Sequence, residues 1–252
     1  MITEAEKGIF FEICQDAIKQ DRPSSGIGTY KEKMIHLVLK KFFCSDCNLH
    51  EVKTGRFIAD ACTDDRIFEI QTGGFYPLKK KISSYIEDTD KKITVVCPMN
   101  AKRRMIWVDA ESGEMSEPRR VTPGRPKNKF LRELMWIAPI IDFCRVEFKI
   151  VYLEVDEYKL LDGFGADKKS KATKIDRIPR GLVDIVTVDS REALADFLLP
   201  QNLPVEFKAK DFEKATGLRK KGVSAGLRAL ELLGIIERGK QGGRAVIYRV
   251  AV

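Results

Sequence analysis

Residues 56–75, RFIADACTDDRIFEIQTGGF, restrict this chain more than any other stretch. Two apolar, strand-forming runs flank the polar turn TDD, the pattern of a β-hairpin. Yet Asp60, Glu69 and Gln71 stand inside those runs. A buried carboxylate is costly unless something pairs it. With the turn centred between Asp64 and Asp65, residue 60 lies directly opposite residue 69. Directly opposed residues share a face, with Cβ atoms about 4.5–5.5 Å apart. Glu69 and Gln71 then share one face of their strand, and Phe68 and Ile70 the other. The segment offers few cations of its own, so a divalent ion between Asp60 and Glu69 is the expected positive partner. Oxygen ligands with open water positions favour Mg²⁺ or Mn²⁺ over zinc.

Around the hairpin the pattern alternates between helix and strand. Residues 3–20 read as a helix with Ile9, Phe10, Ile13 and Ile18 on one side, and a second helix runs from about Thr29 to Phe43. HEVKTG, RFIADA and IFEIQT follow as strands, then a helix from Pro77, then KITVVCPMN and RRMIWVDA as two further strands. This order specifies an α/β unit on a mixed sheet with an antiparallel meander at its front. A polar stretch, ESGEMSEPRRVTPGRPKNK, separates it from an apolar helix, FLRELMWIAPIIDF. A strand at VEFKIVYLEVDEYKLLDG and a basic loop, ADKKSKATKIDRIPR, complete the first domain. The boundary falls near Asp189, which gives domains 1–189 and 190–252.

Asp-x(8)-Glu-x-Gln on a hairpin, after a Glu-bearing helix and before an amphipathic one, resembles the PD-(D/E)XK nuclease superfamily over roughly residues 29–110. The resemblance implies a restriction-endonuclease-like core in which Asp60 and Glu69 hold Mg²⁺ or Mn²⁺ and Gln71 positions the attacking water. Glu32 on the second helix, sharing a face with Ile35, His36 and Leu39, is the further acidic residue that such nucleases often add. Gln71 departs from the commoner lysine. It can orient water but supplies no positive charge to the pentacovalent phosphate.

The last fifty residues have eleven Lys and Arg against five Asp and Glu, a large share of the +8 net charge, which points to a polyanion. AKDFEKATG and RKKGVSAGLRALELLG read as two helices, and IIER and AVIYRV as strands around GKQGGR. The whole resembles a winged helix-turn-helix. Val223, Leu227, Leu230 and Leu233 form the apolar face of the second helix, and Lys221, Ser224 and Arg228 lie opposite, with Arg219 and Lys220 at its start. Such a helix presents its N-terminal residues to the major groove, while Lys240 and Arg244 on the wing reach the backbone. Gly222 and Gly226 weaken the helix by up to about 1 kcal/mol each.

CSDCNLH contains Cys44, Cys47 and His50, but one CxxC pair without a fourth ligand falls short of a zinc motif. His36 and His50 read as structural. PRRVTPGRPKNK has five basic residues and no acid from Arg119 to Lys129 and reads as a solvated linker. The basic side chains from Lys168 to Arg180 are a candidate phosphate track. Six scattered cysteines, an acidic helical start and no run near the roughly 18 apolar residues of a membrane span suggest a cytoplasmic protein with reduced thiols. Together these features predict a Mg²⁺-dependent DNA endonuclease with a winged helix for DNA binding and no membrane partner, and they leave a homodimer open. The rival expectation is a DNA-binding regulator whose nuclease-like core has lost activity, with Gln71 as the mark of the loss.

Overall fold

The computed structural model describes residues 2–20, 33–122, 124, 126–164, 172–242 and 245–252, without the side chains of 20, 240–242 and 245. Its centre is a seven-stranded mixed sheet. Strands β1 (His50–Thr54), β2 (Phe57–Cys62) and β3 (Arg66–Ile70) form an antiparallel meander. Helix α3 (Tyr76–Asp88) then crosses back so that β4 (Lys92–Asp109) runs parallel to β3. β6 (Val146–Leu161) lies parallel to β4 along its whole length, and β7 (Thr173–Val188) closes the sheet antiparallel to β6. The short β5 (Arg119–Val121) pairs with the far half of β4, on the side that β3 leaves free.

Helices cover both faces. α1 (Glu4–Gln20) and α2 (Met34–Phe43) pack with Phe68, Ile70, Val96, Val151 and Leu153 on one. α3, α4 (Pro126–Leu134) and α5 (Arg191–Leu198) pack with Ile67, Val95, Phe148 and Ile150 on the other. The switch from Ile67 to Phe68 and from Val95 to Val96 is the period-2 alternation of a strand. Among the described residues no helix is long and apolar enough to cross a membrane.

After α5 come β8 (Glu206–Lys208), α6 (Ala209–Thr216), α7 (Lys220–Leu232), β9 (Ile236–Gly242) and β10 (Ala245–Val250). Their strands form a separate antiparallel sheet in the order β8-β10-β9. Gly217, at φ 67°, ends α6 in the left-handed conformation that suits glycine. The apolar face of α7 is buried as its spacing predicts: Val223, Leu227, Leu230 and Leu233 all lie inside. The core does not stop at Asp189, because this C-terminal unit shares one buried cluster with the sheet. α4 is the link. Phe130 meets Phe75, Phe148 and Phe197 edge-on at 5.4, 5.5 and 5.7 Å. On the same helix, Leu131 packs where a Cβ on Gly226 would come within 3.0 Å of it. The two glycines of α7 therefore serve a close helix–helix approach, which explains their place in a helix they would otherwise weaken.

Four readings of the sequence need correction. The buried stripe of α1 is Phe10, Cys14 and Ala17, at i, i+4 and i+7, while Ile9 is 52% exposed. RRMIWVDA is not a strand of its own but the second half of β4. The helix expected over FLRELMWIAPIIDF starts earlier, at Pro126, and ends at Leu134; a 3₁₀ turn at Ala138–Ile140 follows, containing a proline that lacks the helical N–H donor. Part of the basic loop is strand: residues 173–180 belong to β7, where Lys174 pairs with Glu157 at 3.5 Å and Arg180 with Asp156 at 3.6 Å. Cross-strand ion pairs let a highly charged segment lie in a sheet.

Phe130→Ala tests the linking role of α4. Loss of a buried phenyl with three ring partners should cost about 3–5 kcal/mol of unfolding free energy. Denaturant titration reads this directly, and a loss below about 1 kcal/mol would show that α4 does not hold the two units together.

Candidate functional site

The ladder between β2 and β3 pairs Cys62 with Ile67 and Ala61 with Phe68, and stops there. Continued one step, this register would set Asp60 opposite Glu69 on one face, but the pairing stops, and the two acids take partners from opposite faces: Asp60 from α2, Glu69 from α3. There Asp60 Oδ2 accepts the backbone N–H of Ile70 at 2.6 Å, so a side chain does the work of the next ladder bond. The same oxygen lies 3.1 Å from Nε2 of His36, on α2. Burial acts to raise the Asp60 pKa, but the His36 hydrogen bond and charge, the Ile70 amide and nearby Lys81 outweigh it and hold the carboxyl below its usual value.

Glu69 is 3% exposed and faces α3. Lys81 Nζ donates to its Oε2 at 2.8 Å and its Oε1 at 2.9 Å, and Tyr85 donates its hydroxyl to Oε1 at 2.7 Å. Lys81 also donates to the carbonyl oxygen of Ile58 at 2.9 Å, so one ammonium spans β2 and β3 beneath α3. Burial, with the charge of Asp60, pushes the Glu69 carboxyl up to about 7, against the opposing pull of Lys81 and Tyr85. Two carboxylates thus influence one another at the point where β2 and β3 are no longer paired, with one lysine between α3 and both strands.

The cation partner of Glu69 in this structure is Lys81, which the hairpin sequence did not contain. Its signal lay further on, where Lys81 and Tyr85 are four apart in KKKISSY and share a helix face. His36, read as structural, is the α2 partner of Asp60. Gln71 follows the last residue of β3. Its backbone N–H donates to the Val96 carbonyl at 2.8 Å, and its side-chain amide donates to the carbonyl of Gly74 within the turn to α3. Glu32 lies outside the described residues. His50 sits 2.7 Å from the carbonyl oxygen of Cys44. Among the described residues no group of three or more His, Cys, Asp or Glu side chains is placed to hold a metal. Asp60 and Glu69 supply only oxygen, and both oxygens of Glu69 are met by Lys81.

In the C-terminal unit Arg219, Lys220, Lys221, Ser224 and Arg228 are all exposed along α7. Arg228 pairs with Glu231 at 3.0 Å, and the Ser224 hydroxyl donates to the Lys220 carbonyl at 3.2 Å. Arg219, Lys220 and Lys221 border a cleft of about 710 Å³ that Asn128 and Arg132 of α4 close from the other side. The Lys240 side chain and Arg244 lie outside the described residues.

The raised Glu69 carboxyl makes stability depend on pH. The folded protein holds a proton there that the unfolded chain gives up near its ordinary value of 4.5. Stability from this group is therefore full below about 4.5 and lost as pH rises through about 7. On moving from pH 8 to 5.5, wild type should gain on the order of 1–2 kcal/mol relative to Glu69→Gln, measured by urea unfolding. Parallel pH profiles for the two proteins would refute the assignment.

The family described as a domain of unknown function (DUF8091) matches residues 33–189. The matched stretch contains α2, the whole large sheet and both carboxylates, and excludes α1 and everything from α5 onward. No curated protein and no solved structure matches the chain. The match covers more than half of the 252 residues, and on that ground the chain belongs to the DUF8091 family.

Proposed function

We propose that the protein is a metal-dependent DNA endonuclease that hydrolyses phosphodiester bonds, with its C-terminal unit acting as a winged helix that holds the duplex. The observation that carries this reading is the gathering of two carboxylates, Asp60 and Glu69, where the β2–β3 pairing stops, with Lys81 of α3 bonded to Glu69 and to the Ile58 carbonyl and its charge acting on Asp60. The order helix, three antiparallel strands, helix, parallel strand from α2 to β4 supports a restriction-endonuclease-like core. The order α5-β8-α6-α7-β9-β10, with β10 central in its sheet, supports the winged helix.

In this reading Asp60 and Glu69 hold Mg²⁺ or Mn²⁺. The ion, when bound, lowers the pKa of a water and neutralises phosphate charge. The chain's own groups do the rest. The Ile70 amide and His36 fix the Asp60 carboxylate in one orientation. Lys81 keeps a positive charge beside both acids, the property that Gln71 lacks. Tyr85 restrains Glu69 from the α3 side. A regulator with a lapsed site is the second reading, favoured by two observations: the amide of Gln71 is turned to Gly74, and Lys81 occupies both oxygens of Glu69.

Incubation of supercoiled plasmid with Mg²⁺, Mn²⁺ or EDTA decides between them. Wild type should cut only with metal, and Asp60→Ala or Glu69→Ala should lower the rate by about 100-fold or more, the scale of losing one charge-stabilising group. Both variants should keep duplex affinity in EDTA. Full cutting by a folded double variant would overturn the assignment of the site. An inactive wild type that gains activity through Gln71→Lys would establish the lapsed reading.

The C-terminal unit has its own test. Lys221→Ala combined with Arg228→Ala should weaken duplex binding and lower its salt slope by about two, near one for each lost phosphate contact. Unchanged affinity and slope would place the unit among protein-binding winged helices.

A further inference from the structure

Two basic segments distant in sequence, one from the polar stretch after β4 and one from β7, converge in the fold. Arg120 of β5 and Arg180 of β7 border a single cleft of about 340 Å³, whose floor is the far half of β4 and β6. Lys102, Arg103 and Arg104 complete its cationic lining, against only Glu154 and Asp156. None of these residues belongs to the hairpin site.

The charges in the cleft are unevenly matched. Lys102 is neutralised by Glu154. Asp156 is 3% exposed and takes both arms of the Arg104 guanidinium at 2.7 Å, with Arg180 Nε a further 3.6 Å away. A single carboxylate thus serves two guanidinium groups. Arg120 pairs in register with Arg104 across the antiparallel β4–β5 ladder, and it has no ionic partner among the described residues. Like charges directly opposed across a ladder destabilise it unless an anion lies between them. Arg103, the next residue along β4 from Arg104, pairs with Glu157 at 3.6 Å and does not share the Asp156 carboxylate.

We propose that this cleft binds the phosphodiester backbone of duplex DNA, with Arg120 and Arg180 contacting phosphates and Arg104, held by Asp156, setting the positive floor between them. The cleft is thus a second nucleic-acid contact, separate from both the hairpin and α7. That the polyanion is DNA rests on the endonuclease reading; that the cleft takes phosphate does not.

The test is a salt titration of a fluorescein-labelled 20-base-pair duplex by anisotropy in EDTA, using the full chain. Arg120→Gln with Arg180→Gln should bind at least about tenfold more weakly and show a log–log salt slope smaller by about two. Arg120→Lys with Arg180→Lys keeps the charges and should retain the wild-type slope. Unchanged slope and affinity in the Gln pair would overturn the proposal, as would an equal loss in the Lys pair, which would mark a packing defect. Displacement of the duplex by inorganic phosphate at matched ionic strength, from wild type but not from the Gln pair, would assign the cleft to a free phosphate instead. Asp60→Ala in the same titration should keep the wild-type slope. A protein that cuts nothing yet loses slope in the Gln pair would refute the endonuclease reading while keeping the cleft.

Discussion

The parallel pairing of β4 with β6 is the constraint on which the other elements depend. It runs from Ile93 beside Val146 to Asp109 beside Leu161, interrupted only by a register shift near Asn100. Its first half is apolar and covered by helices on both faces, as parallel strands require. Its second half carries charge; there β5 pairs with the free edge of β4, while β7 follows β6 from Phe148 to Leu160. One pair of strands thus holds a core at one end and a cationic cleft at the other. α3 returns the chain so that β3 joins this spine, and α4 packs Phe130 against Phe148 of β6. The C-terminal unit in turn docks on α4.

The carboxylate pair exists because a ladder ends early. Had β2 and β3 stayed hydrogen-bonded past Ala61, the Ile70 amide would have a backbone partner and Asp60 no reason to turn toward it. Instead Asp60 takes that bond, and Lys81 bridges the two strands from the α3 side. The energetic logic is that of any buried acid: each carboxylate is kept by named donors rather than by solvent. What distinguishes this site is asymmetry. Asp60 is held ionised, whereas Glu69 is pushed toward neutrality by burial and by its neighbour. Environments that drive two acids apart in this way are frequent where chemistry is done.

Local pattern was enough to read the hairpin, its register, the mixed sheet and the helices of the C-terminal unit, because strand alternation and turn residues act within a few positions of one another. Partners supplied from elsewhere were not legible. Lys81 and His36 reach the acids only after α3 and α2 pack on opposite faces of the sheet. β7 was hidden because its charges, taken alone, look like a solvated loop; only beside Glu157 and Asp156 do Lys174 and Arg180 suit a strand. Gly222 and Gly226 looked like weaknesses in α7 until α4 was seen to lie against them. The polar stretch after β4 offered no periodicity to show that Arg120 would stand opposite Arg104.

Lys33 gives helix α2 no side-chain cap; the first amide, at Met34, is met by Asp176 Oδ2 of β7 at 3.0 Å, across 142 residues of chain. A helix start satisfied from so far away cannot be completed while the chain is still short. α2 carries His36, and His36 meets Asp60, so the setting of that acid is tied to this one bond. The hairpin's own contacts are local, whereas His36, the partner of its acid, sits on a helix whose first amide is met by the last strand of the large sheet. Contacts of such high sequence separation form late and slow folding. The contact between His36 and Asp60 thus depends on β7: a chain without that strand would have the carboxylates but not the group that meets the start of α2.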